Sequence, residues 1–117
     1  MRNIMLALLY CLTLSLAHAE TGPVGVVVLH GKWDRPGGYI SDFANAMERA
    51  GMIVVKPEMP WSARRSYDAG VEAMEGEIDT AVEQLRQRGA RTIIVAGHSF
   101  GAAGAVRYAT RHPVDGV

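Results

Sequence analysis

The sequence predicts an α/β domain, a three-layer αβα arrangement around a mainly parallel sheet. Strand-like and helix-like segments alternate from residue 24 to residue 110. The first strand segment, Val24-Gly25-Val26-Val27-Val28-Leu29, carries no polar side chain. A strand buried on both faces reads this way, whereas a strand with one wet face alternates. Each strand segment is followed by a connection long enough to hold a helix, which parallel pairing requires.

The chain opens on Met1-Arg2-Asn3, a short basic start, followed by Ile4 to Leu16, apolar but for small or polar residues such as Thr13 and Ser15. Ala17-His18-Ala19 then has the A-x-A form of a cleavage site. The apolar run is shorter than the ~20 residues of a membrane span. Residues 1–19 therefore read as a secretory signal peptide, and export to a periplasm or to the cell exterior is expected, with no stable membrane insertion once the signal is removed. Cleavage takes away Cys11, the single cysteine, and Tyr10 before it does not suit a lipoprotein processing site. Residues 20–117 can then form no internal disulfide.

In chain order, the first strand gives way to a glycine-containing loop, His30 to Gly38. Ser41 is placed to cap a helix reaching about Ala50, with Ile40, Phe43, Met47 and Ala50 on one face and Gly51 as its stop. Met52 to Lys56 is the second strand, ended by Pro57 and Pro60. Pro57 to Gly70 is a long loop carrying Trp61, Arg64, Arg65, Tyr67 and Asp68, the last placed to cap the next helix. From Val71 to about Arg88 the helical signal is strongest. Met74, Ile78, Ala81, Val82 and Leu85 make one stripe, acids crowd the first half, and Arg86 and Arg88 lie where the helix dipole favours cations. Gly89 ends this helix, and Arg91 to Ala96 is the third strand. A helical run from Ala102 to Thr110 stops at His112-Pro113, and Val114 to Val117 looks like the start of a fourth strand. Residues 20–117 are accordingly expected to be the N-terminal part of a larger domain.

Between the third strand and the last helix stands Gly97-His98-Ser99-Phe100-Gly101. The form is G-x-S-x-G, and the strand before it and the Ala/Gly-rich helix after it give the context that a nucleophile elbow needs. The turn is tight enough that the flanking positions must be nearly side-chain-free, which lifts Ser99 to the C-terminal end of the sheet. A phosphate-binding reading of Gly97, Gly101 and Gly104 fails: the dinucleotide pattern wants glycine where Ser99 stands, and no G-K-[S/T] follows.

With the elbow in this context, the chain resembles the N-terminal part of the α/β-hydrolase superfamily. Leu29-His30-Gly31 is similar to the His-Gly loop that supplies half of that superfamily's oxyanion hole, and the element spacing agrees from Val24 to Thr110. The resemblance implies Ser99 as nucleophile, with the backbone N–H groups of Lys32 and Phe100 as oxyanion donors. His30, Gly31, Gly97, His98 and Gly101 would support the loop and the elbow. It also implies that the catalytic acid and histidine follow the serine, beyond Val117. Local candidates for the base do not serve. The elbow turns His98 away from its neighbour Ser99, and His112 lies ~20 Å along the helix. Asp115 belongs to the opposite end of the sheet.

Trp33, Asp34 and Arg35, and the stretch Trp61 to Tyr67, follow strand C-termini, where loops converge on a site in open parallel sheets. Trp33, Trp61 and Arg64 are therefore candidate pocket residues, the competing reading being a solvated loop with one tryptophan packed beneath it. Twelve basic residues balance twelve acidic ones, so no charge excess points to nucleic acid. His30, His98 and His112 lack metal-ligand spacing, and no cofactor is expected. The expected partner is a small-molecule or acyl substrate. The leading reading is an exported serine hydrolase acting on an ester, thioester or amide. Its competitors are a binding or processing protein on the same scaffold and an inactive shortened product.

Overall fold

The computed structural model describes residues 22–117. The segment read as a signal peptide lies outside the described residues. The elements are β1 (Val24–Leu29), α1 (Ser41–Arg49), β2 (Ile53–Val55), α2 (Val71–Gln87), β3 (Thr92–Gly97) and α3 (Phe100–Arg111). The strands form one parallel sheet in the order β2-β1-β3, with Val26 of β1 opposite Val54 on one side and Ile94 on the other.

The apolar run of β1 is explained by its central place. Successive side chains point to opposite faces. Val27 and Leu29 join Met74, Ile78 and Leu85 of α2, Val95 of β3, and Ala105 and Tyr108 of α3. Val26 and Val28 pack with Ile40, Ala44 and Val54 beneath α1. Helices thus cover both faces, α1 on one and α2 with α3 on the other, which gives the three layers.

Helix α1 departs from the sequence reading in two ways. Ser41 is the first helical residue and not its cap; Ile40 precedes it with helical backbone (φ −78, ψ −5), and the Ser41 hydroxyl reaches only the Pro36 carbonyl, at 3.4 Å. Turn hydrogen bonds from Gly38 N–H to Arg35 and from Ser41 N–H to Gly38 already wind the chain before the helix begins, so no capping position is left for the serine. The buried face also differs. It runs through Ile40, Ala44 and Met47, so the expected Ile40 and Met47 hold, while Phe43 is 57% exposed and Ala50 is exposed. A methyl group at Ala44 lets the helix approach the sheet where a phenyl ring would hold it away.

The α2 stripe is buried throughout, and the helix begins at Val71 as the sequence predicts. Its cap position is Gly70, not Asp68, whose carboxylate instead pairs with Arg65 at 2.8 Å. Gly51 and Gly89 follow their helices with φ of 91 and 98, the left-handed stop expected of them. Helix α3 starts at Phe100, two residues before the apolar pattern begins, because the turn from β3 is so short. Gly116 bridges Ile94 in parallel on the free side of β3, and Asp115 Oδ2 accepts the Ile93 N–H at 2.7 Å. The residues read as a fourth strand start therefore lie where such a strand would pair. Among the described residues, no helix is long and apolar enough to cross a membrane.

Candidate active site

Ser99 stands between β3 and α3 with φ 55 and ψ −120, backbone that a residue with a side chain adopts only when its surroundings impose it. Those surroundings can be named. The His98 N–H donates to the Leu29 carbonyl at 3.1 Å, tying the turn to the end of β1. The Ser99 carbonyl is drawn into α3 by the Ala102 N–H at 3.0 Å. A Cβ at Gly97 would overlap the backbone of Gly101, and one at Gly101 would overlap the carbonyl oxygens of Leu29 and His30. Both glycines of the motif are therefore required sterically. Ser99 itself is exposed.

The loop after β1 lies against this turn. A Cβ built on Gly31 would come within 3.5 Å of the Ser99 Cβ and 3.3 Å of His98 Nδ1. His30 is completely buried and fixes the loop from three directions. The Trp61 indole N–H donates to the His30 carbonyl at 2.7 Å. The Met59 N–H donates to His30 Nε2 at 3.0 Å. A backbone N–H can only donate, so Nε2 carries the lone pair and the ring proton sits on Nδ1, which donates to the Gly31 carbonyl at 2.8 Å. Trp33 follows with φ 59 and donates its N–H to the Trp61 carbonyl at 2.9 Å. Among the described residues, the N–H groups of Lys32 and Phe100 donate no hydrogen bond. The first belongs to the loop beside Ser99. The second opens α3, where helix N–H groups have no intrahelical acceptor.

Of the two tryptophans, Trp61 is 2% exposed and Trp33 52% exposed. Trp61 meets Phe100 edge-on at 5.1 Å, Phe100 meets Tyr67 at 6.2 Å, and Tyr67 meets Trp33 at 5.7 Å. This aromatic chain links both loops to the first residue of α3. Arg64 stands apart from it. Its guanidinium is bound to the Glu58 carboxylate, lowering the Glu58 pKa against the opposing effect of burial. Arg65 is likewise committed, to Asp68 and Glu77.

His98 packs its ring against Tyr39 at 4.6 Å. His112, at the far end of α3, stacks on Tyr108 at 4.2 Å and approaches Glu75 and Asp79 of α2 at 3.3 and 3.4 Å. Asp115 is engaged at Ile93, near the start of β3, while Ser99 follows its end. The sequence did not flag Tyr67 or the Phe100 ring as partners of the tryptophans. Their only signal was an aromatic residue in each segment flanking the site. The ionic group of Glu75 with Arg107, Arg111 and His112 was also missed, because it joins two helices far apart in sequence.

The fold is that of an α/β-hydrolase core. A solved structure described as an extracellular α/β-hydrolase from a Paenibacillus species, said to share structural and functional homology with tobacco salicylic acid binding protein 2, superposes with a TM-score of 0.58 at 23% sequence identity. The match covers 80% of this chain and 38% of that one, so the chain spans well under half the length of its structural neighbour. No family model and no curated protein sequence matches the chain.

Proposed function

We propose that this chain carries the nucleophile and the oxyanion hole of an exported serine hydrolase acting on an ester, thioester or amide. The observation that carries the reading is the left-handed backbone of Ser99, held by two obligatory glycines beside a loop that leaves its Lys32 N–H unpaired. In this reading Ser99 Oγ adds to the substrate carbonyl as a general base takes its proton, and the carbonyl oxygen becomes an alkoxide. The N–H groups of Lys32 and Phe100 then bond that oxygen, and the N-terminal end of α3 adds the positive end of its dipole. One such donor is typically worth ~3–4 kcal/mol of transition-state stabilisation. Collapse of the adduct expels the leaving group and leaves an acyl-enzyme on Ser99, which water hydrolyses by the same steps. His30 orders the loop and takes no part in proton transfer, both of its ring nitrogens being engaged.

The base and its acid are expected from sequence beyond Val117, in keeping with the share of the structural neighbour that this chain spans. A fluorophosphonate probe tests the proposal. Covalent labelling of Ser99 in the complete protein, lost in Ser99→Ala, is the expected result; a complete protein that resists the probe would point to a binding protein on this scaffold.

A further inference from the structure

Beside the elbow, a groove of about 350 Å³ runs between α3 and the segment entering α2. Phe100, which follows Ser99 in the chain, lines it with Trp61 and Tyr67; Val71 and Met74 line it from α2, and Gly104 and Arg107 from α3. Its lining carries one charged side chain, Arg107, whose Nε lies 2.9 Å from Glu75 Oε1. The Glu75 pKa is lowered: burial raises it, but the His112 bond and the charges of Arg111 and Arg107 outweigh burial. The groove therefore ends on a neutralised ion pair and the aliphatic stem of Arg107, not on a free cation.

Its position ties it to the reaction. Phe100 supplies a groove wall with its ring and an unpaired N–H with its backbone. From Phe100 to Arg107 is two turns of helix, ~10 Å. Gly104 lies on that path, and a Cβ there would come within 3.0 Å of Trp61 Cη2, so the glycine makes room for the buried indole that lines the groove.

We propose that this groove receives the acyl chain of the substrate, an uncharged, medium-length aliphatic chain whose carbonyl lies at Ser99 and whose methyl end lies at Arg107. The substrate class of the hydrolase would then be medium-chain acyl esters or thioesters, a refinement that rests on the function proposed above. Each methylene buried in the groove is expected to tighten binding by up to about fourfold.

The test is direct binding to the full chain, read from the indole N–H resonance of Trp61, with Trp33→Phe used to assign it. Octanoate is expected to shift this resonance and to bind at least about tenfold more tightly than butyrate. Val71→Glu puts a carboxylate on the exposed groove wall at a helix start that tolerates it, and should weaken octanoate at least about tenfold. Octanedioate should bind more weakly than octanoate, because its second carboxylate would meet the Glu75–Arg107 pair. Equal affinity for butyrate and octanoate, indifference to Val71→Glu, or tighter binding of octanedioate would each overturn the proposal. Binding as expected with no probe labelling of Ser99 in the complete protein removes the hydrolase reading and leaves the groove a binding site. Labelling of Ser99 without chain-length dependence does the reverse.

Discussion

Ser99 holds its backbone angle because its neighbours leave it no alternative, and that strain can be measured. A non-glycine residue at φ 55 costs about 1–3 kcal/mol. Ser99→Gly is therefore expected to stabilise the fold by about 1 kcal/mol in urea denaturation while abolishing probe labelling. No change in stability would mean that the turn is unstrained. Gly101→Ala has the opposite effect. Its methyl would meet the backbone carbonyls of Leu29 and His30, which cannot rotate away as a side chain can, and a loss of about 3 kcal/mol is expected. His30→Ala would leave the buried Met59 N–H without its acceptor and a void beside Trp61. A loss of about 2–4 kcal/mol in the same measurement is expected.

Between elements, the decisive contact is the one that clamps α2 to α3. Glu75, 8% exposed, faces Arg107, Arg111 and His112, while the Tyr108 hydroxyl donates to Asp79 at 2.5 Å. The folded state lowers the Glu75 pKa, so its contribution is present above the ordinary glutamate range and is lost as pH falls through the lowered value. Tyr108 shifts the other way: burial, then the bond to Asp79, raises its pKa, so its contribution is present below the ordinary tyrosine value and is lost on strongly alkaline titration. Thermal melts across the acid range should therefore show a steeper loss for the unaltered chain than for Glu75→Gln. Parallel curves would mean that the cluster makes no difference to stability. The α2 stripe itself was legible in the sequence because a single long helix displays its periodicity without outside help. The face of α1 was not, because the turns at Gly38 and Ile40 set its rotation before Ser41 is reached. Periodicity alone could not choose Ala44 over Phe43.

At the scale of the whole molecule, the parallel sheet was readable because β1 is central and so is apolar at every position, and the elbow because two glycines and a serine meet a demand of backbone geometry. The aromatic chain from Trp33 through Tyr67 and Phe100 to Trp61 was not readable: it depends on how far two loops lean over the sheet, and no local pattern fixes that. The two sides of the sheet are unequal. Val27 and Leu29 are buried under two helices, Val26 and Val28 under the one short helix α1. Leu29→Ala is expected to cost about 3–4 kcal/mol, in the middle of the range for such a change. Hydrogen exchange should be slowest in β1 and faster in α1, and equal protection would contradict this ranking.

The burial of His30 also has a practical consequence for chemical footprinting. Its ring is closed to solvent and both nitrogens are occupied, whereas His98 is exposed. A reagent that acylates imidazoles should mark His98 and leave His30 untouched in the native fold. Were the proposed hydrolase activity lost on such treatment, the loss would trace to a histidine other than His30, and modification of His30 would report that the loop around Ser99 has come apart.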